Sequence, residues 1–264
     1  MPTINYYQHK ISYDIKGRGT PIVFLHGFGE NRQMWREFTQ EFEENTLITI
    51  DLPGSGESDA MDVSIARMAK VVRAVLLAER IDKCLLIGHS MGGYVALAFA
   101  KLYPELLLGY CLFHSQPNAD TEEKKTARNK GISFVKRYGN ALYFKGLVPQ
   151  LFGQKYRKDN AHTIDKTIFY GSQMPAEGVV YQLAAMRDRP DNRAVLKNSK
   201  APVCFIIGNQ DVAIPTENSE QQTYLPNVAD IHFLPDKGHM GMYEAPKKTR
   251  QILLNFLEFC QEMA

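Results

Sequence analysis

The chain has 264 residues, 44% of them hydrophobic and 23% charged. That balance fits one large globular domain, or one domain carrying an inserted subdomain, with a sizeable core and disorder not the default. With 31 Lys and Arg against 29 Asp and Glu the net charge is +2, which gives no global case for nucleic-acid binding.

The N-terminus, Met1-Pro2-Thr3-Ile4-Asn5, has no basic segment followed by an apolar run, so no signal peptide is expected. The first 16 residues alternate loosely around Gln8-His9-Lys10 and predict an antiparallel hairpin. Pro21-Ile22-Val23-Phe24-Leu25 is a short apolar run ending at glycine, the pattern of a buried strand. Residues 31–43 read as helical. Leu47-Ile48-Thr49-Ile50 is a second buried strand, closed by Asp51-Leu52-Pro53-Gly54. Over residues 64–80, Ile65, Met68, Ala69, Val72 and Leu76 recur at helical spacing. Cys84-Leu85-Leu86-Ile87 reads as a strand, residues 91–103 as a helix apolar on most faces, and Leu107 to Phe113 as a strand.

Between Ser115 and Pro190 no strand pattern appears. This stretch is helical, charged and aromatic, with 13 Lys and Arg against 7 Asp and Glu. It predicts a helical cap over 115–190, inserted into a core formed by 1–114 and 191–264. The rhythm then resumes with strand Val203-Cys204-Phe205-Ile206-Ile207, a helix near 216–223, a strand from Asp230 to Leu234 and a terminal helix near 243–262. Strands alternating with helices predict an α/β fold with a mostly parallel sheet and helices on both faces. Ligands then bind beyond the carboxyl ends of the strands. No apolar stretch approaches the roughly 18 residues of a membrane span. The four cysteines, Cys84, Cys111, Cys204 and Cys260, show no CxxC or zinc spacing and read as buried free thiols in a reducing compartment, the cytoplasm by default.

The strongest local signal is Gly88-His89-Ser90-Met91-Gly92, between a strand and a helix. This is the G-x-S-x-G nucleophile elbow in its required context. The turn strains the nucleophile's backbone, and Gly88 and Gly92 must be small to let neighbouring strands approach. Ser90 is lifted above the sheet, at the positive end of a helix. A serine hydroxyl needs a base to take its proton. Candidates appear in the order acid then histidine: Asp211 in Gly208-Asn209-Gln210-Asp211, and His239 in Asp236-Lys237-Gly238-His239, each following a strand. Asp236 and Asp120 are rival acids. The oxyanion of the tetrahedral intermediate calls for two backbone N–H groups, assigned to Met91 and to Phe28 in His26-Gly27-Phe28-Gly29. Gly27 gives that loop its room, and His26 is expected to hold it by hydrogen bonds.

These motifs, together with Asp51-Leu52-Pro53-Gly54-Ser55-Gly56-Glu57-Ser58, resemble the α/β-hydrolase superfamily along nearly the whole chain. The resemblance implies an eight-stranded mixed sheet with a lid. Asp120 to Gly139 and Met186-Arg187-Asp188-Arg189-Pro190-Asp191 are similar to stretches of esterases, enol-lactonases and related lactone hydrolases. The function expected is cleavage of a small-molecule ester or lactone by Ser90, His239 and Asp211, with no cofactor and no metal. Carbon–carbon bond hydrolysis, perhydrolysis, or a ligand receptor with a slow vestigial triad are the alternatives. Ser90 argues against epoxide hydrolases and haloalkane dehalogenases, whose nucleophile is Asp. His89 is expected to pack beside the elbow, and His9, His114, His162 and His232 to be structural or exposed. Gly54-Ser55-Gly56 lacks the Lys-Ser/Thr pair of a phosphate loop. Phe134, Tyr138, Tyr143, Phe144, Phe152, Tyr156, Phe169, Tyr170 and Tyr181 are expected mostly as cap core. Oligomeric state is left open.

Overall fold

A computed structural model describes residues 2–263 of the chain. The strands are β1 (Thr3–Tyr6), β2 (His9–Lys16), β3 (Thr20–Leu25), β4 (Asn45–Ile50), β5 (Cys84–His89), β6 (Leu107–Phe113), β7 (Val203–Gly208) and β8 (Ala229–Leu234). They form one eight-stranded sheet in the order β1-β2-β4-β3-β5-β6-β7-β8. β1 and β2 make the expected hairpin, and β2 also runs antiparallel to β4; from β4 onward every pair is parallel. The central strands are covered on both faces, which is why they read as continuous apolar runs rather than alternating ones. All six residues of β5 and all six of β7 are buried.

The core helices are α1 (Ile65–Ala78), started by the Ser64 side chain accepting from the Arg67 N–H, and α2 (Met91–Leu102), buried along most of its length. Five helices separate β6 from β7 before the short α8: α3 (Glu122–Tyr138), α4 (Asn140–Leu151), α5 (Gln154–Asp159), α6 (Ala161–Ser172) and α7 (Ala176–Arg187), with α8 at Arg193–Lys197. Within this group α3 packs on α7 and α4 on α6. The chain closes with α9 (Thr216–Thr223), α10 (Gly241–Glu244) and α11 (Pro246–Glu262). Among the described residues no helix is long and apolar enough to cross a membrane. The four cysteines are buried and free.

Three expectations need correction. Residues 31–43 form two 3₁₀ turns, Arg32–Trp35 and Phe38–Glu41, instead of one helix. Trp35, Phe38 and Phe42 recur every three to four residues, and consecutive tight turns bury them around Phe24 as well as a helix would. The terminal helix is broken at Ala245, because Pro246 cannot continue α10 and instead opens α11 at its first position. The aromatics of 115–190 divide: Phe144 and Phe152 are buried, whereas Phe134, Tyr138 and Phe169 face solvent.

The loop after β4 is the socket for α7. The Asp51 carboxylate accepts from the Arg32 and Glu57 backbone N–H groups, and Ser58 Oγ donates to the Asp51 carbonyl. Gln182 of α7 then donates to the Pro53 carbonyl and to Ser55 Oγ, both at 2.9 Å. Gly178 lies so close to Gly54 that a Cβ there would stand 2.7 Å from the Gly54 carbonyl oxygen.

Candidate active site

Ser90 sits between β5 and α2 with φ 51° and ψ −113°. A non-glycine residue in this region costs on the order of 1–3 kcal/mol, which the surrounding contacts must offset. Its N–H donates to the Phe113 carbonyl at 3.0 Å, and its own carbonyl accepts from Gly93 N, Tyr94 N and Ser115 Oγ. The glycines on either side are required by space: a Cβ on Gly88 would stand 2.3 Å from the Gly92 carbonyl oxygen, and one on Gly92 2.5 Å from that of Leu25. The start of α2 is thus in backbone contact with the end of β3, where the His26–Phe28 loop begins. Met91 opens α2, so its N–H has no acceptor within the helix.

The Phe28 N–H is aimed by its own peptide plane. The Gly27 carbonyl accepts from His26 Nδ1 at 2.8 Å and from Glu30 N at 3.4 Å. In a trans peptide the C=O and the following N–H point in opposite directions, so fixing one fixes the other. His26 Nε2 accepts from the Leu52 N–H at 3.0 Å, which puts the ring proton on Nδ1. Burial, against the pull of Asp51 and the Gly27 carbonyl, pushes His26 below its ordinary value and keeps it neutral. The Phe28 ring packs on Tyr143 and Phe144 of α4.

His239 follows β8 and is buried; its Nδ1 lies 2.7 Å from Asp211 Oδ2. Asp211 follows β7, and its Oδ1 accepts from Ala213 N and Ile214 N, both at 2.9 Å. Burial opposes its charge, but His239, the bond to it, His114 and the Ile214 N–H together hold the carboxyl below its ordinary value. The rival acids lie elsewhere. Asp236 is exposed, and Asp120 is buried in an ion pair with Arg189 and a second contact to Arg128. The His239 loop is anchored twice. His239 N donates to the Leu151 carbonyl at the end of α4 at 2.7 Å. The Glu244 carboxylate accepts from Gly153 N, Gly238 N and Met240 N.

Two residues of this centre, His114 and Glu30, escaped the sequence reading, while His89 lies beside the elbow as expected. His114, at the end of β6, is buried with Nε2 accepting from Gly241 N and Nδ1 3.6 Å from Asp211 Oδ2. Desolvation, outweighing the nearby Asp211 charge, pushes it well below its ordinary value. His89 packs beside the elbow, its ring 5.0 Å from that of His239, and it contacts a buried Glu30. His114 and His89 end strands of the parallel sheet, which is the one signal that marks them; Glu30 offered none. Sequence spacing suggested no metal cluster, but register brings Cys204, Asp230 and His232 together with ligand atoms within 4.8 Å of one another. That trio sits in the body of the β7–β8 pair, and His232 Nε2 already lies 2.8 Å from Asp230 Oδ1.

An eight-stranded sheet of this order, with a serine elbow after β5 and a histidine–carboxylate pair after β8 and β7, defines a hydrolase class. The model of the alpha/beta hydrolase family matches residues 22–252, and the chain belongs to that family. It is 27% identical to a 2-hydroxy-6-oxononadienedioate/2-hydroxy-6-oxononatrienedioate hydrolase of Paraburkholderia phymatum, over 94% of this chain and 91% of the relative. A thermophilic esterase from Thermogutta terrifontis, solved with malate bound, superposes with a TM-score of 0.92 at 27% identity, covering 98% of this chain and 97% of the other. The enol-lactonase of Burkholderia xenovorans LB400 shares the fold, with a TM-score of 0.91 at 18% identity over 97% of this chain and all of its own.

Proposed function

We propose that this chain is a serine hydrolase that cleaves a carboxylic ester or lactone of a small molecule through an acyl-enzyme intermediate. The observation that carries this reading is the buried 2.7 Å contact between His239 Nδ1 and Asp211 Oδ2, beside a serine held at positive φ. Asp211 Oδ2 accepts the Nδ1–H of His239, so Nε2 is the base. As Ser90 Oγ attacks the carbonyl carbon, its proton passes to Nε2 and the carbonyl electron pair moves onto oxygen. The N–H groups of Phe28 and Met91 meet that oxyanion; one such donor is worth about 2.7–4 kcal/mol. The C–O bond breaks and His239 returns the proton to the leaving alkoxide. Water then attacks the acyl carbon and gives its proton to His239; the second collapse breaks the acyl–Oγ bond, His239 returns that proton to Ser90 Oγ, and the acid is released. Asp211 stays ionised and stabilises the imidazolium. No step calls for a cofactor or metal.

Residues 115–190 serve as the cap over a core of 1–114 and 191–264, with Tyr143 and Phe144 lying on Phe28. The buried free thiols support a reducing compartment, the cytoplasm. The test is hydrolysis of p-nitrophenyl esters of two, four and eight carbons by wild type and Ser90→Ala in parallel. Repeated turnover by wild type and a silent variant are expected. Equal, slow rates would remove Ser90 as nucleophile, and a single burst would move the receptor reading ahead. The likeness to the Paraburkholderia enzyme favours carbon–carbon bond hydrolysis as the second reading. Release of a carboxylic acid from a 2-hydroxy-6-oxo-dienoate, with no turnover of the esters, would establish it instead.

A further inference from the structure

The residue before the nucleophile makes contacts that the mechanism above does not use. His89 is buried, and each of its ring nitrogens meets an oxygen. Nε2 lies 2.9 Å from the backbone carbonyl of His239, and Nδ1 lies 2.8 Å from Glu30 Oε2. A carbonyl only accepts, so Nε2 must carry a proton. Glu30 Oε2 also accepts from the Gly27 N–H at 2.6 Å, and an oxygen that faces two nitrogen donors is placed as a carboxylate oxygen. Nδ1 therefore carries a proton as well. Both ring nitrogens donate, and His89 is an imidazolium paired with a carboxylate inside the protein. Burial opposes both charges, and the pairing outweighs it: Glu30 and the His239 carbonyl hold His89 above its ordinary value, and His89 and Gly27 hold Glu30 below its own.

A buried ion pair is weak support for stability, because desolvation offsets most of the attraction. Its value here is geometric. The pair spans three strand ends: Glu30 in the loop after β3, His89 at the end of β5, and the His239 backbone after β8. Gly27 is the residue whose carbonyl sets the direction of the Phe28 N–H, and its other side is held by Glu30. We propose that the Glu30–His89 ion pair is a positioning device that locks the Gly27–Phe28 loop and the His239 loop to the Ser90 elbow, so that the oxyanion donors and the base stay in one frame. This rests on the serine-hydrolase reading. The other titratable groups facing His89 are His26 from the β3 end, His114 from the β6 end, Asp211 from the β7 end and His239 itself. His26 and His114 are held neutral, so the charge on the imidazole side of this frame belongs to His89.

The test uses Glu30→Gln, His89→Gln and the double variant, with p-nitrophenyl butyrate as substrate. A donor displaced by a fraction of an ångström costs rate and not binding, so kcat should fall about 10–100-fold in Glu30→Gln with KM within about twofold. The double variant should be no slower than the slower single, since both remove one unit. In wild type, kcat should fall on the alkaline side as His89 gives up its proton; Glu30→Gln should lack that limb. Glu30→Asp should recover part of the loss. Labelling of Ser90 by a fluorophosphonate, read by mass spectrometry, reports that each variant is folded around its nucleophile. If Ser90 of wild type is never labelled, the serine-hydrolase reading fails and takes the positioning role with it. If Ser90 is labelled throughout while Glu30→Gln keeps kcat within twofold and keeps the alkaline limb, or the two losses add, this proposal alone is overturned.

Discussion

Replacing Asp211 with Asn tests how the carboxylate controls its histidine. Both ends of the side chain are constrained. The Ala213 and Ile214 N–H groups, each 2.9 Å from Oδ1, reject an amide NH₂ and select the amide oxygen for that place. The NH₂ group must then take the Oδ2 position, 2.7 Å from His239 Nδ1, and donate to it. Nδ1 becomes an acceptor and the ring proton moves to Nε2, the nitrogen that should receive the Ser90 proton. The His114 Nδ1–H, 3.6 Å from the Oδ2 position, favours an acceptor there, but two backbone donors at 2.9 Å from Oδ1 outweigh that one long contact. The variant has the wrong tautomer and no negative charge to stabilise the imidazolium. The expected loss in kcat is up to about 10⁴-fold, equivalent to roughly 5.4 kcal/mol of transition-state stabilisation. Initial rates with p-nitrophenyl butyrate measure it, and a thermal melt checks that the variant is folded. A folded variant that loses less than about tenfold would refute Asp211 as the orienting acid.

Two further outcomes follow from the packing and the buried histidines. Gly178→Ala puts a methyl against the Gly54 backbone, 2.7 Å from its carbonyl oxygen, where no side chain can yield. It should cost about 1–3 kcal/mol and lower the Tm by several degrees, whereas an unchanged melt would mean that α7 does not seat on the loop after β4. His26 and His114 are pushed down and stay neutral, while in the unfolded chain they take up protons near pH 6.5. The unfolded state then binds more protons, so stability falls as pH drops below about 6.5, by up to about 1.4 kcal/mol per pH unit for each group. His89 has the opposite sign: its contribution is complete below the unfolded pKa and is lost as pH rises through its raised folded value. Urea melts at pH 7.5 and 5.5 should show a shallower acid loss for His114→Asn, and parallel slopes for variant and wild type would contradict a neutral, buried His114.

The parts of the fold legible in the sequence are those where one physical demand dominates. Ile22–Leu25, Cys84–Ile87 and Val203–Ile207 are apolar throughout because both faces are covered, and Ser90 and Asp211 each follow such a run, whereas His239 follows the alternating edge strand β8. Residues 31–43 were misread because a three-to-four residue repeat does not separate a helix from successive 3₁₀ turns. Glu30 carries no local mark at all: its partner His89 is 59 residues away, and only the parallel register of β3 and β5 joins them. The exposed Phe134, Tyr138 and Phe169 have the same composition signal as the buried Phe144, so aromatic content located the segment and not its inner face.

The double anchor of the His239 loop ties it to α4 and to the turn that follows α4. Leu151 closes α4, Tyr143 and Phe144 of the same helix rest on Phe28, and Glu244 grips Gly153 and Gly238 together. A displacement of the C-terminal end of α4 would pull on the His239 backbone through the Leu151–His239 bond. The end of one helix and the turn that carries His239 are thus spliced together, so a change at either is felt at the other.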